Sequence, residues 1–322
     1  MGMKWTPCLA LLICTIVAPL HAADMLKSHL GHEGPAFAPG MAPSVLGWGP
    51  DEKPYPGEFV VNPKDLAEMA WVPPGEFLMG SPPAETAEYP KDGRFADERP
   101  QHFVRLTKGF WLYRHEVTNR QYRAFKPEHH SGKFTEKGLM GRDQSQDLDK
   151  DLQPAVAMGW RGASEYSAWT GGRLPTEAEW EYAGRAGNGK AWWWWNTSLQ
   201  ADKCANLADK LATTLWPQWP GHRWVDGYAV SAPVGSYHAN AFGLFDMSGN
   251  VEEWCADWYA ADCYATSPKD DPAGPAAGAE RVLRGGSWRF TASFARSATR
   301  DHAIPDAAPA LQTVGFRCAV TP

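Results

Sequence analysis

A chain of 322 residues holds one large domain or two ordinary ones, and its 43% hydrophobic content is enough for a true core. A formal charge of −6 gives no global electrostatic reason for nucleic-acid binding, and sparse helical periodicity excludes a coiled coil. Seventeen tryptophans, 31 glycines and 27 prolines point to a loop-rich protein in which large flat side chains pin irregular backbone.

Residues 1–23 read as a secretory signal, with Lys4 ahead of an apolar run from Leu9 to Leu20 and small residues at Ala22 and Ala23. That run is short for a bilayer span and no later segment reaches the length, so the expectation is an exported protein, periplasmic or secreted. Cys204, Cys255, Cys263 and Cys318 remain after it, and an oxidising compartment predicts two disulfides among three possible connectivities. Residues 24–66 lack a sustained period and read as an N-terminal arm.

From Ala70 the pattern predicts a hairpin about Pro73-Pro74-Gly75, then two strands with a bend at Lys108-Gly109. Thr118 and Gln121 form a capping box for a helix that ends before Pro127. Residues 128–153 read as a polar surface excursion. In it His129 and His130, being adjacent, point apart as solvated loop residues. A second helix is expected over Gly162–Trp169 and a third from Thr176, where Glu177 and Glu179 suit the positive helix terminus and read as capping residues. Trp192–Trp195, if extended, would alternate between the core and a groove. Asn196 heads a glycosylation sequon. Residues 281–288 and 314–320 read as core strands, with Gly285-Gly286 allowing close backbone approach.

The stretch 240–258 places Asp246, Glu252, Glu253 and Asp257 among Phe242, Phe245, Trp254 and Trp258. Carboxylates wedged between aromatics need a partner: a basic side chain, or a hard cation completed by carbonyls of the Gly249-Asn250 turn. Solvated acids on a turn are the plainer alternative. Asn206, Asp209 and the Asp226-Gly227-Tyr228 turn offer oxygen ligands for a second cation.

In order, GEFLMGS, EVTNRQYRAF, GGRLPTEAEWEYAGRAG, NAFGLFDMSGNVEEW, RVLRGGSW and VGFRCA resemble the formylglycine-generating enzyme, or sulfatase-modifying factor, family. The resemblance covers roughly residues 70–320, read as one domain over 67–322. It implies a complex, loop-rich α+β fold related to C-type lectins, with little regular secondary structure. It also implies two structural calcium sites. The first set is Asn206, the Leu207 carbonyl, Asp226 and the Tyr228 carbonyl. The second is Asp246, the Gly249 and Val251 carbonyls, and Glu253.

The family's copper-holding cysteine pair follows the GGS motif, and residues 288–300 here contain no cysteine, so copper is not expected. Cys318 matches a family disulfide position whose expected partner, near Trp169, is Ser167. The chain is similar in this respect to exported pyoverdine-maturation oxidases. Two functions follow as expectations. In one, a protein or peptide substrate is matured oxidatively without the thiol pair, in a groove of Ser287, Trp288, Arg296 and Arg300, although salt bridging to nearby acids accounts for those arginines equally. In the other, a non-catalytic lectin-like protein displays residues 289–313 for ligand recognition.

Overall fold

The computed structural model describes residues 54–87, 93–194, 200–306 and 311–322. The expected signal, residues 1–23, and the arm up to residue 53 lie outside the described residues, as do Trp195 and the sequon at Asn196. Two four-stranded sheets and two hairpin-like pairs of strands make up the β structure among the described residues.

The first sheet is antiparallel throughout, in the order β1 (Phe59–Val61), β2 (Glu68–Val72), β5 (Phe110–Tyr113), β12 (Ala319–Val320). Strand β1 lies inside the stretch read as an arm. It is three residues long, too short to show a period. The expected hairpin at Pro73-Pro74-Gly75 does not form, because β3 (Gly75–Met79) pairs with β4 (His102–Leu106) in a separate ribbon. Strand β2 is nearly continuously apolar and needs partners on both edges, while consecutive prolines fix φ and supply no N–H for a tight turn.

The second sheet runs β10 (Arg300–Ala303), β9 (Arg281–Arg284), β8 (Glu252–Trp258), β11 (Val314–Gly315), with β11 parallel to β8. The segment 314–320 therefore supplies a short strand to each sheet, and Phe316, Arg317 and Cys318 between them are fully buried. The polar excursion holds a further hairpin, β6 (Lys133–Lys137) with β7 (Asp143–Asp147). Its strands bury only Phe134, so no apolar alternation announced them.

Helix α1 (Asn119–Phe125) carries both halves of its capping box and turns Tyr122 into the core. Helix α2 spans Trp160–Trp169, starting two residues before its expected position. Helix α3 (Glu177–Arg185) has the Thr176–Glu179 box. A short α4 (Lys210–Leu215) is capped by Asp209, whose Oδ1 accepts from Ala212 N–H at 2.9 Å. Trp192–Trp194 are not extended: the Asn188 amide donates to the Trp193 carbonyl at 2.7 Å, and Trp192 stacks on Trp194 within a turn. Trp193 and Trp194 are buried beside Cys204 and Leu207.

Trp180 of α3 joins helix to sheet. Its indole is buried, donates to Glu253 Oε2 at 2.8 Å, and lies against Gly285, where a β-carbon would stand 3.1 Å from Trp180 Cζ2. Gly285 and Gly286 adopt φ of 99° and 68°, the close approach that their pairing predicts.

Candidate functional site

Strand β8 opens on two buried acids that alternate across the sheet. Glu253 is gripped by Arg317, Nε to Oε2 at 2.7 Å and Nη2 to Oε1 at 2.6 Å, so one acid of the aromatic-rich stretch has a basic partner. Asp246 lies nearby in the left-handed region, with φ of 57°; its Oδ2 accepts from Gly235 N–H at 2.7 Å and its buried Oδ1 receives no hydrogen bond among the described residues. A third acid, Glu116, joins them. It accepts from Asn250 Nδ2 at 2.8 Å and from Val251 N–H at 3.1 Å.

Three carboxyl groups thus share the Arg317 guanidinium. Burial, then the charges of Asp246 and Glu253, push Glu116 well above the usual carboxylate range. Burial raises Asp246 to about 6. The sequence reading missed Glu116, although it stands immediately before the Val117-Thr118 helix start. Nothing in local spacing ties it to a loop 134 residues away.

The two acid-bearing clusters abut through Asn206 and Asn250. Asn206 Nδ2 donates to Asn250 Oδ1 at 3.1 Å, and Asn250 N–H donates to the Asn206 carbonyl at 2.9 Å. Gly249 must be glycine at this crossing: with φ of 79°, a β-carbon would lie 2.2 Å from that carbonyl oxygen. Asn206 Oδ1 is buried with no partner among the described residues. Asp226 turns its two oxygens to Leu207 N–H at 2.9 Å and Tyr228 N–H at 3.1 Å, and burial pushes its carboxyl up to about 7. Among the described residues no hydrogen bond reaches the Leu207, Tyr228 or Gly249 carbonyls.

Among the described residues no three Asp, Glu, His or Cys side chains converge as a metal cage. A cation held here takes most of its shell from carbonyl and amide oxygens. Such a shell suits calcium, and the orphaned Asn206 and Asp246 oxygens fit it. Copper does not fit: the stretch after Gly286 has no thiol, and the remaining cysteines are built into other surroundings.

The four residues expected to line a groove are buried and separated in purpose. Arg296 clamps Glu98 (Nη2 to Oε1, 2.6 Å; Nη1 to Oε2, 2.8 Å) and reaches Glu85 at 3.0 Å. Arg300 holds Glu177, Nε to Oε1 at 2.7 Å and Nη2 to Oε2 at 3.0 Å. Trp288 is fully buried edge-on to Phe134, and the Ser287 hydroxyl is enclosed with no partner among the described residues. The arginine groove is therefore corrected to a set of salt bridges, because charges this deep need carboxylates beside them. Of residues 289–313, expected as a display segment, 307–310 lie outside the described residues and the centre of the rest is not free. Ala295–Arg300 are buried and β10 is paired to β9.

The helix acids divide their roles. Glu179 completes the capping box and pairs with Arg173, whereas Glu177 and Glu181 are buried and hold Arg300, Arg284 and Arg185. His130 pairs with Asp149 in the open and His129 packs edge-on to Tyr122, pointing apart as adjacency requires. Among the described residues none of the expected disulfides forms, and Cys204, Cys255, Cys263 and Cys318 stand as thiols. Strand β8 turns Cys255 into the core, Cys263 faces Arg300 Nη2 at 3.3 Å, and Cys318 Sγ stands 3.3 Å from Ser167 Oγ.

Residues 56–322 match the sulfatase-modifying factor enzyme 1-like domain. The chain belongs to this family. A formylglycine-generating enzyme of Streptomyces coelicolor is 33% identical over 301 residues, covering 80% of this chain and 90% of that protein. The serine/threonine-protein kinase Pkn1 of Chlamydia trachomatis is 37% identical over 268 residues, but only 38% of its length is covered. Among solved structures, PvdO from Pseudomonas aeruginosa superposes with a TM-score of 0.65 at 30% identity, covering 84% of this chain and all of that one. Variable protein 1 of Treponema denticola, with TM-score 0.59 and 22% identity over 80% and 95% of the two chains, shares the fold.

The architecture is accordingly the loop-rich α+β sulfatase-modifying-factor fold related to C-type lectins, and the family indicates a sulfatase-modifying-factor-type role. Among the described residues no helix is long and apolar enough to cross a membrane.

Proposed function

We propose that this chain is an exported member of the family that oxidatively matures a protein or peptide substrate by a route independent of copper-holding thiols. The observation that carries the reading is residues 288–300, which contain no cysteine and whose Arg296 and Arg300 are committed to buried carboxylates. The formylglycine-generating and PvdO relatives support a maturation step on a peptide or protein. Nothing in the charge balance favours nucleic acid as a partner.

Two calcium ions form part of this proposal as structural braces. Asn206, Asp226 and the Leu207 and Tyr228 carbonyls would hold one; Asp246, Glu253 and the Gly249 and Val251 carbonyls would hold the other. Calcium supplies positive charge to loops rich in buried oxygen and does no redox chemistry. Asn250, which links the clusters, and Arg317, which orients Glu253, set the ligand positions.

The test is to incubate calcium-loaded, correctly folded protein with oxygen and a panel of cysteine-bearing and siderophore-like peptides, reading peptide mass. Conversion that survives a copper chelator supports the proposal. Conversion strictly dependent on added copper, or none across the panel, overturns it.

A further inference from the structure

A cavity of about 320 Å³ opens beside the N-terminal end of α3, away from both proposed calcium clusters in its lining residues. Its volume is at the lower end of small-ligand sites. Three carboxyl residues, Glu177, Asp257 and Asp262, line it with no basic residue among the lining set, and Met79, Ala178 and Pro275 give it an apolar wall.

Asp257 is the group without an internal explanation. The residue is 3% exposed. Its Oδ2 accepts from Glu177 N–H at 2.8 Å and so caps α3, but among the described residues nothing donates to Oδ1. Space in front of that oxygen is kept by Gly274: at φ of 68°, a β-carbon there would lie 3.0 Å from Asp257 Oδ1. Neighbouring groups are already engaged. Arg300 spends its donors on Glu177, the Asp97 and Ala260 carbonyls and Cys263 Sγ, while the Tyr264 hydroxyl donates to Glu177 Oε1. Once ionised, a carboxyl oxygen open to a cavity with acidic walls calls for a donor that carries positive charge.

We propose that this cavity binds a small aliphatic ammonium group, its nitrogen donating to Asp257 Oδ1 and its carbon chain lying against Met79, Ala178 and Pro275. Neither the family assignment nor the calcium reading enters this inference. Cys263 lines the same cavity and is half-buried, whereas Cys204, Cys255 and Cys318 are at most 1% exposed, so its thiol reports on occupancy.

The experiment measures iodoacetamide labelling of Cys263 by peptide mass in the folded full-length protein at pH 9, where Asp257, pushed up to about 8 by burial, is ionised and an alkylammonium is still charged. n-Butylammonium is the probe, n-butanol the neutral control, and Nα-acetyl-lysine amide tests a peptide side chain as the source. The expected result is about fivefold slower labelling at about 10 mM butylammonium, the occupancy of a millimolar site, with no slowing by butanol. Protection by the lysine amide as well assigns the site to a peptide side chain; protection by butylammonium alone assigns it to a free amine. Asp257→Asn is expected to remove the protection. Equal protection by butanol, protection that persists in the variant, or none from either amine overturns the proposal. The wild-type comparison of butylammonium with butanol decides the matter even if Asp257→Asn does not fold.

Discussion

Arg317 meets Glu253 as a two-pronged fork on a carboxylate, and both side chains have no solvent exposure. The same guanidinium donates to the carbonyls of Tyr113, Arg114 and Phe245, at 3.1, 3.2 and 2.9 Å. One side chain therefore ties the end of β5, the loop before Asp246 and strand β8 together. Replacing Arg317 with Met leaves Glu253 beside Glu116 and Asp246 without its cation. The expected loss is about 3–5 kcal/mol, the cost of stranding a buried charge. Urea unfolding reads it, and Glu253→Gln in the same background should recover part of the loss. Purely additive effects would show that the pair is not coupled.

Asp257 predicts a pH slope of definite sign. Burial, followed by the charge of Glu177, pushes its carboxyl up to about 8, with Glu179 adding to the rise and Arg300 opposing it. Arg173 and Arg281 also feel its charge. An unfolded carboxyl near 3.8 has lost its proton at pH 6, but the folded one keeps it. The folded state binds the extra proton between those values, so this group's contribution to stability falls as pH rises from about 4 to about 8. Asp257→Asn mimics the neutral acid and should flatten the wild-type stability profile across that window. Thermal unfolding at stepped pH checks this, and an unchanged slope would count against a protonated Asp257.

What the sequence made legible is local or carried by motif. The Thr118 and Thr176 caps and the Gly285-Gly286 approach follow from residues within one turn or at one strand end. Pairings across the chain do not. Arg296 finds Glu98 across 198 positions and Arg300 finds Glu177 across 123, separations that no spacing rule encodes. The reading of those arginines as groove residues failed for that reason. Its alternative, salt bridging, was already visible in the chemistry of deep charge. Strand partners failed likewise: β2 and β3 are adjacent in sequence, yet edge demand sends them to different sheets.

Calcium should stabilise the protein and EGTA should undo it. The proposed ligand sets include Asp226, pushed up to about 7 by burial, and a cation would need that group deprotonated. Binding should therefore tighten as pH rises from 6 to 8 and release protons as it occurs. At a hundredfold excess over the dissociation constant the gain is about 2.7 kcal/mol, easily seen as a rise in melting temperature. Asp226→Asn should lose a large part of this gain. A melting temperature indifferent to calcium and EGTA at pH 8 would remove both ions from the description.

Gly286 and Gly171 separate conformational strain from crowding. Both lie in the left-handed region, at φ of 68° and 83°. A β-carbon at Gly171 meets nothing within 4 Å, so Gly171→Ala carries only the backbone penalty, about 1–2 kcal/mol. At Gly286 the same methyl would sit 2.7 Å from the Phe294 carbonyl oxygen and 3.0 Å from its carbon, which are backbone atoms of the segment leading to Arg296. Gly286→Ala must displace that segment as well, so its cost should exceed that of Gly171→Ala by at least about 1 kcal/mol. Paired urea titrations of the two variants measure the difference directly. Equal losses would mean that residues 289–295 yield freely, and that the tight turn after β9 does not hold the C-terminal arginines in place.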